Sequence, residues 1–94
     1  MRVDIASGED VAARVRAAIG ADGGSVVAVI APIADPLVLA LARAAIGPLA
    51  MEAAPATRVN AVFRSGTADA AAVDAAVAYL ERAVSTTGQI LDIA

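Results

Sequence analysis

An apolar run of β-branched residues constrains the fold more than any other feature of this 94-residue chain. Ser25 to Ala31 reads SVVAVIA and shows no alternation between polar and apolar residues. Such a run is typical of a parallel strand that is covered on both faces. We interpret the preceding pair Gly23-Gly24 as a plain turn, because the glycine motif that binds dinucleotides follows a strand rather than precedes one. The sequence therefore predicts a central parallel strand.

Helix and strand signals alternate along the rest of the chain. Asp35-Pro36 begins a long apolar helix, because a carboxylate cap followed by proline is a favoured helix start. Ser7 and Asp10 resemble a capping box for an earlier helix that ends near Gly20, and Gly47-Pro48 should kink the middle helix or split it in two. The other predicted elements are strands at Met1 to Ala6, Arg58 to Phe63 and Gly88 to Ile93, and a helix that starts at Thr67 or Asp69 and carries Val73, Val77, Leu80 and Val84 on one face.

This alternation predicts an α/β fold with a small, mostly parallel sheet in the order β-α-β-α-β-α-β. The length fits a single domain over residues 1–94. If the strands lay in sequential order and every crossover were right-handed, all helices would cover one face of the sheet. The other face would then be bare and would need a partner.

The middle helix strengthens the expectation of an oligomer, because large apolar residues point in nearly every direction around it. The predicted contact surface combines this helix with the apolar stripe of the first helix. Its candidate residues are Leu37, Leu41, Ile46, Leu49, Val15 and Ile19. The alternative is that so small a core buries the helix within the monomer.

Composition excludes several kinds of function. The chain contains neither cysteine nor histidine, so it has no thiolate site and lacks the commonest metal ligand and general base. Its net charge is −3 and its arginines form no cluster, which argues against nucleic acid as a partner. No charge-free stretch is long enough for a membrane span, and no signal peptide is recognisable, so a cytoplasmic protein that does not bind membranes is expected.

One loop is a weak candidate for ligand binding. Arg64, Ser65, Gly66 and Thr67 follow a predicted strand and precede a helix, which is where α/β proteins bind anions and other ligands. Helix capping by Ser65 and Thr67 explains the same residues without a ligand. Tyr79 is interpreted as structural, because the chain has no lysine to activate it. No metal site is predicted.

Several segments resemble, in this order, the C-terminal half of the short-chain dehydrogenase/reductase family. Asp22 to Ala31, DGGSVVAVIA, is similar to the strand that leads into the family's catalytic serine. Asp35 to Pro55, ending in LAMEAAP, resembles the long helix that follows, and RVNAV at Arg58 to Val62 resembles the next strand. The tail from Val77, VAYLERAVSTTGQILDIA, is similar to the last helix, the T-G-Q turn and the closing strand. The resemblance implies half of a Rossmann-like fold.

The departures from the family bear on function. The family's dinucleotide-binding N-terminal unit has no counterpart in this chain, and neither do its catalytic groups. Aligned on the resemblance, the serine position falls on or near Ala31, the tyrosine position on Asp35 and the lysine position on Leu39. After RVNAV the family usually has a Pro-Gly pair beside the nicotinamide, whereas this chain has Phe63 followed by Arg64, Ser65 and Gly66. We therefore expect no catalytic residue and no cofactor site in the chain alone.

The leading hypothesis is a noncatalytic, dehydrogenase-like subunit that acts through assembly, with itself or with a full-length dehydrogenase-like protein. In the family, the helices that resemble residues 8–20 and 35–54 form a contact between subunits, and the closing strand region forms another. NAD(P) would then enter only through the partner. Two alternatives stay open: an independent small-ligand module that uses the loop from Arg64 to Thr67, and a subunit that contributes pocket walls to a partner oxidoreductase.

Overall fold

The computed structural model describes residues 1–22 and 24–94, so Gly23 of the predicted glycine turn lies outside the described residues. Strands and helices alternate as predicted. The elements are β1 (Arg2–Ile5), α1 (Val11–Asp22), β2 (Gly24–Ile30), α2 (Pro36–Ala53), β3 (Thr57–Arg64), α3 (Ala70–Arg82) and β4 (Ile90–Ile93).

The strands form one four-stranded sheet in which every pairing is parallel and the spatial order is β1-β2-β3-β4. The predicted central strand is confirmed, because β2 lies between β1 and β3 and its residues from Ser25 to Ile30 are all buried. In β3, burial extends from Val59 to Phe63. These two strands carry β-branched residues on both faces because helices cover both faces.

The helices divide between the two faces of the sheet. Helices α1 and α2 cover the face that carries Val26, Ala28 and Ile30 of β2. Helix α3 covers the opposite face, where it packs on Val27 and Val29. The strands do lie in sequential order, but the expectation that all three helices share one face is wrong. Since all three crossovers step across the sheet in the same direction, the α3 crossover has the opposite hand to the other two.

Some predicted element ends shift in the structure. The cap of α1 is Asp10 and not Ser7, because the Asp10 carboxylate accepts the Ala13 amide at 3.1 Å. Gly20 lies inside α1. Pro48 does not split α2, which runs as one helix from an N-cap at Asp35. Helix α3 has its N-cap at Asp69, one of the two predicted starts, and ends before Val84, which is exposed and does not belong to the helical face.

RVNAV and TGQ, two segments that resemble the dehydrogenase family, are joined by hydrogen bonds into one unit. Asn60 is 0% exposed, and its amide donates to the Thr86 carbonyl at 3.0 Å while its side-chain oxygen accepts the Gln89 amide at 3.0 Å. The Thr87 hydroxyl accepts the Val59 amide at 3.0 Å, and the Gly88 amide donates to the Val59 carbonyl at 2.7 Å. These contacts, which we call the Asn60 unit, hold the turn before β4 against β3, so both motifs have a structural explanation.

Candidate functional site

Helix α2 presents a continuous apolar surface to solvent. We define the α2 apolar face by six exposed residues that point away from the sheet: Leu37, Val38, Leu41, Ala44, Pro48 and Met51. Leu37 is 67% exposed, Leu41 63% and Met51 80%. Large aliphatic side chains with this exposure are scattered singly on most proteins, but here they lie together on one helix.

The spacing of the α2 apolar face explains why these residues lie side by side. Leu37, Leu41, Ala44, Pro48 and Met51 alternate steps of four and three residues, and this spacing places side chains along one stripe of a helix. The same helix turns Ala42, Ile46, Leu49 and Ala50 towards the sheet, where all are buried. Helix α2 is thus apolar on both its inner and its outer side.

The structure separates the six predicted interface residues into two groups. Leu37 and Leu41 belong to the α2 apolar face. Ile46, Leu49 and Val15 are at most 2% exposed and lie in the monomer's own core, and Ile19 is partly buried against that core. A side chain without exposed surface cannot contact a partner. Of the six predicted residues, Leu37 and Leu41 on the outer side of α2 therefore remain the candidates for an interface.

A cavity of about 310 Å³ adjoins the α2 apolar face. It lies between the first turns of α1 and α2 and is lined by Val38 and Leu41 of that face together with Ile5, Val11 and Ile30. Near the C-terminal end of α2, Glu52 forms an ion pair with Arg16 of α1 at 3.3 Å. The two helices therefore form one connected surface with a depression near its N-terminal end.

Length and composition alone would let α2 cross a membrane. A helix that is apolar all round and packs on a sheet meets the same test, and α2 carries Arg43 and Glu52 as well as four residues buried against the sheet. The absence of membrane binding stays a prediction.

The positions that match the family's catalytic residues lie near the carboxyl edge of the sheet. Ala31 follows β2 directly and is partly buried. Asp35 is occupied as the cap of α2, because its carboxylate accepts the amides of Leu37 at 2.8 Å and Val38 at 3.3 Å. Leu39 packs against the core. None of these side chains carries the phenol of a tyrosine or the amine of a lysine, so the family's tyrosine and lysine have no chemical equivalent at these positions.

The loop after β3 stands at the same edge. Arg64 is partly buried, and its guanidinium donates to the Ala68 carbonyl at 3.4 Å. The Ser65 hydroxyl accepts the Thr67 amide at 3.3 Å, which closes a turn in which Gly66 is exposed. The turn geometry accounts for Ser65, Gly66 and Thr67. Arg64 and Ser65 also line a cavity of about 350 Å³.

An ion pair that sequence reasoning missed closes one side of this cavity. The Arg43 guanidinium of α2 donates two hydrogen bonds to the Asp92 carboxylate of β4, at 2.6 and 3.1 Å. The same guanidinium lies 5.1 Å from the centre of the Phe63 ring, a cation–π arrangement. Hydrogen bonding between the partners lowers the pKa of Asp92 and raises that of Arg43. No local pattern signals this pair, because 49 residues separate its members.

Several other ionisable residues of the described chain cap a helix or form ion pairs. Asp69 caps α3, and Asp74 of α3 pairs with Arg2 of β1 at 2.7 Å. Glu81 binds the Met1 ammonium at 2.9 Å. Tyr79 is 56% exposed on α3, and its structural role stays a prediction. Within residues 1–22 and 24–94, no group of three or more acidic side chains is arranged to hold a metal ion.

The chain is a Rossmann-like α/β domain, because it has a parallel sheet with helices on both faces. The Asn60 unit fixes the last strand to this sheet. A family model described as short chain dehydrogenase-like protein matches residues 4–93, and the chain belongs to this family. The predicted resemblance and the predicted half-Rossmann architecture are thus confirmed. No curated protein matches the chain, and no solved structure matches it either.

Proposed function

We propose that the chain is a noncatalytic short-chain dehydrogenase-like subunit that acts through assembly, either with a full-length dehydrogenase-like protein or with itself. The observation that carries the proposal is the α2 apolar face. It combines Leu37, Leu41 and Met51, each more than half exposed, in one stripe. A stripe of this kind on an outer helix is typical of a surface that packs against another helix.

Free energy supports the same conclusion. Fully burying a large aliphatic side chain stabilises a protein by roughly 1.5–3 kcal/mol relative to leaving it in water. Leu37, Leu41 and Met51 are each more than half exposed in the monomer, so most of this stabilisation is not realised there. A helical partner that covered them would recover several kcal/mol before the entropic cost of association. No charged side chain interrupts the stripe, so desolvation of a charge would not oppose the contact.

The chemistry of the carboxyl edge supports a noncatalytic role. Ala31, Asp35 and Leu39 stand where the family resemblance places a serine, a tyrosine and a lysine, and Asp35 is engaged in capping α2. Neither histidine nor lysine occurs in the chain to serve as a base. Redox chemistry with NAD(P) would therefore depend on a partner that carries both the cofactor site and the catalytic groups.

The test is the mass of the assembly in wild type and in Leu41→Asp. We expect the purified wild-type chain, or its complex isolated from the host, to be larger than a monomer by native mass spectrometry. Leu41→Asp should dissociate it, because a carboxylate in the contact would lose its hydration. The matched control is Ala75→Asp, which adds the same charge at an exposed position of α3. A Leu41→Asp chain that stays folded and fully assembled would refute the proposal.

The nature of the partner is read from the same spectra. A complex with a larger dehydrogenase-like protein identifies a subunit of a two-protein oxidoreductase, and a dimer or tetramer of this chain alone identifies self-assembly. A wild-type chain that is monomeric both alone and in host extracts would exclude both forms.

A further inference from the structure

Met51 is the most exposed large side chain of the α2 apolar face. It is 80% exposed, compared with 67% for Leu37 and 63% for Leu41. It lies in the last turn of α2, which ends at Ala53, and forms the C-terminal end of the stripe. A side chain with this exposure is accessible to a reagent in solution, and it also belongs to the surface that is proposed for assembly.

Met51 has few competitors for an oxidant in this chain. Peroxides react with the sulfur atoms of cysteine and methionine, and the 94 residues contain no cysteine and two methionines. Met1 is 41% exposed and lies on the α3 side of the sheet, where its ammonium binds the Glu81 carboxylate. We therefore expect a peroxide to react first with Met51, and we expect Met1 to react independently of the α2 apolar face.

Oxidation would change the polarity of the stripe at this position. A hydroperoxide transfers one oxygen atom to the thioether sulfur, which becomes a sulfoxide, while the O–O bond breaks and the peroxide is reduced to water or an alcohol. The sulfoxide oxygen is a polar acceptor. The other side chains of the α2 apolar face are aliphatic and have no hydrogen-bond donor. A sulfoxide that is covered at this surface therefore loses its hydration without gaining a donor from the stripe.

We propose that Met51 is an oxidation site that controls assembly: the thioether permits the contact through the outer side of α2, and the sulfoxide weakens it. This inference rests on the proposed function, because it takes the α2 apolar face as the contact surface. A partner that covers Met51 also shields its sulfur from peroxide. Methionine sulfoxide reductases reduce the sulfoxide back to the thioether, so reduction restores the contact.

The first measurement is peptide mapping of the chain during treatment with hydrogen peroxide. In the dissociated variant Leu41→Asp, Met51 should be oxidised about twofold or more faster than Met1, in line with the exposure of the two side chains. In the wild-type assembly, oxidation of Met51 should be slower than in Leu41→Asp, whereas Met1 should react at the same rate in both.

The second measurement is the dissociation constant of the assembly, from native mass spectra of a dilution series. Oxidation of Met51 should raise it about tenfold or more, as expected for a covered polar group that lacks a hydrogen-bond partner. The two methionine sulfoxide reductases, one for each epimer, should reverse the change. Met51→Leu, which lacks the sulfur, should give the same constant with and without peroxide.

A polar variant tests the mechanism without an oxidant. Met51→Gln introduces an uncharged polar side chain and should also weaken assembly. The matched control is Val84→Gln, because Val84 is 77% exposed and lies outside α2. It should leave assembly unchanged.

The outcomes separate this inference from the proposed function. Wild-type chains that stay assembled with Met51 fully oxidised would overturn the inference and leave the proposed function intact. The inference would also be rejected by equal loss of assembly in peroxide-treated Met51→Leu, by oxidation of Met51 no faster than that of Met1 in Leu41→Asp, or by loss of the helical circular dichroism signal on oxidation. A wild-type chain that is monomeric before any oxidant is added, alone and in host extracts, would refute both.

Discussion

Replacing Asn60 by alanine tests whether the RVNAV and TGQ motifs act as one structural unit. The side chain is fully buried and makes two hydrogen bonds of 3.0 Å, one to the Thr86 carbonyl and one from the Gln89 amide. Asn60→Ala leaves both backbone groups without this partner. Each unsatisfied buried group costs about 1–3 kcal/mol. Because Gln89 is exposed and its amide regains water, we expect a loss of about 2–4 kcal/mol in the free energy of unfolding.

That loss is large for this chain. A domain of this size has a free energy of unfolding of roughly 5–14 kcal/mol, so Asn60→Ala should lower the urea midpoint strongly while leaving the slope of the transition unchanged. Far-UV circular dichroism during urea titration measures both quantities. Native-state hydrogen exchange should also show that the amides of β4 lose more protection than those of β1, because the Asn60 unit holds the turn before β4.

The matched control is Ser85→Ala, which truncates an exposed side chain in the same loop. It should change stability by no more than about 0.5 kcal/mol. The two motifs do not form the unit described if Asn60→Ala is as stable as Ser85→Ala, or if β4 keeps its protection from hydrogen exchange. The presence of RVNAV and TGQ in the chain would then require another explanation.

Three further predictions follow from the packing. Gly88 adopts a φ of 76°, so Gly88→Ala should destabilise the chain by about 1–2 kcal/mol in urea unfolding. In the monomer, Ile46→Ala should cost about 2–5 kcal/mol, whereas Leu41→Ala on the outer side of the same helix should change stability by less than about 0.5 kcal/mol in the same assay. Arg43 lowers the pKa of Asp92 in the folded chain. The pair therefore stabilises the fold at pH values above the unfolded-state pKa of about 3.9, and this contribution is lost as the pH falls through the lower folded-state pKa. Asp92→Asn should flatten that part of a profile of stability against pH.

The order of the elements could be read from the sequence because each signal was local. The unbroken β-branched run predicted β2, and Asp35-Pro36 predicted the start of α2. The start of α1 could not be read in the same way. Ser7 and Asp10 have the spacing of a capping box, but the Glu9 amide donates to the Ala6 carbonyl and closes a turn before the helix, so Asp10 takes the cap.

Local sequence patterns could not predict which residues of α2 are buried or which face of the sheet α3 covers. Ile46 and Leu41 are chemically alike, and on a helix that is apolar all round, only docking onto the sheet determines which is buried. The face of the sheet that α3 covers depends on the handedness of the crossover from β3 to β4. The rule that such crossovers are right-handed predicted the wrong face. Sequence reasoning could therefore propose the loop at Arg64 but not the cavity of about 350 Å³ that Arg64 and Ser65 line, because residues of several elements form it.

The candidate contact surface therefore differs from the one expected from the sequence. A bare sheet face was predicted, but α3 covers its centre, and the outermost strand is polar on that face. Arg2 and Asp4 of β1 point there, and Arg2 reaches Asp74 of α3 at 2.7 Å. Charged residues on an edge strand oppose further strand pairing and tolerate water. Among the described residues, four of the seven exposed large hydrophobic side chains, Leu37, Val38, Leu41 and Met51, lie on the outer side of α2. We therefore propose that assembly, where it occurs, uses the outer side of α2 rather than the face of the sheet.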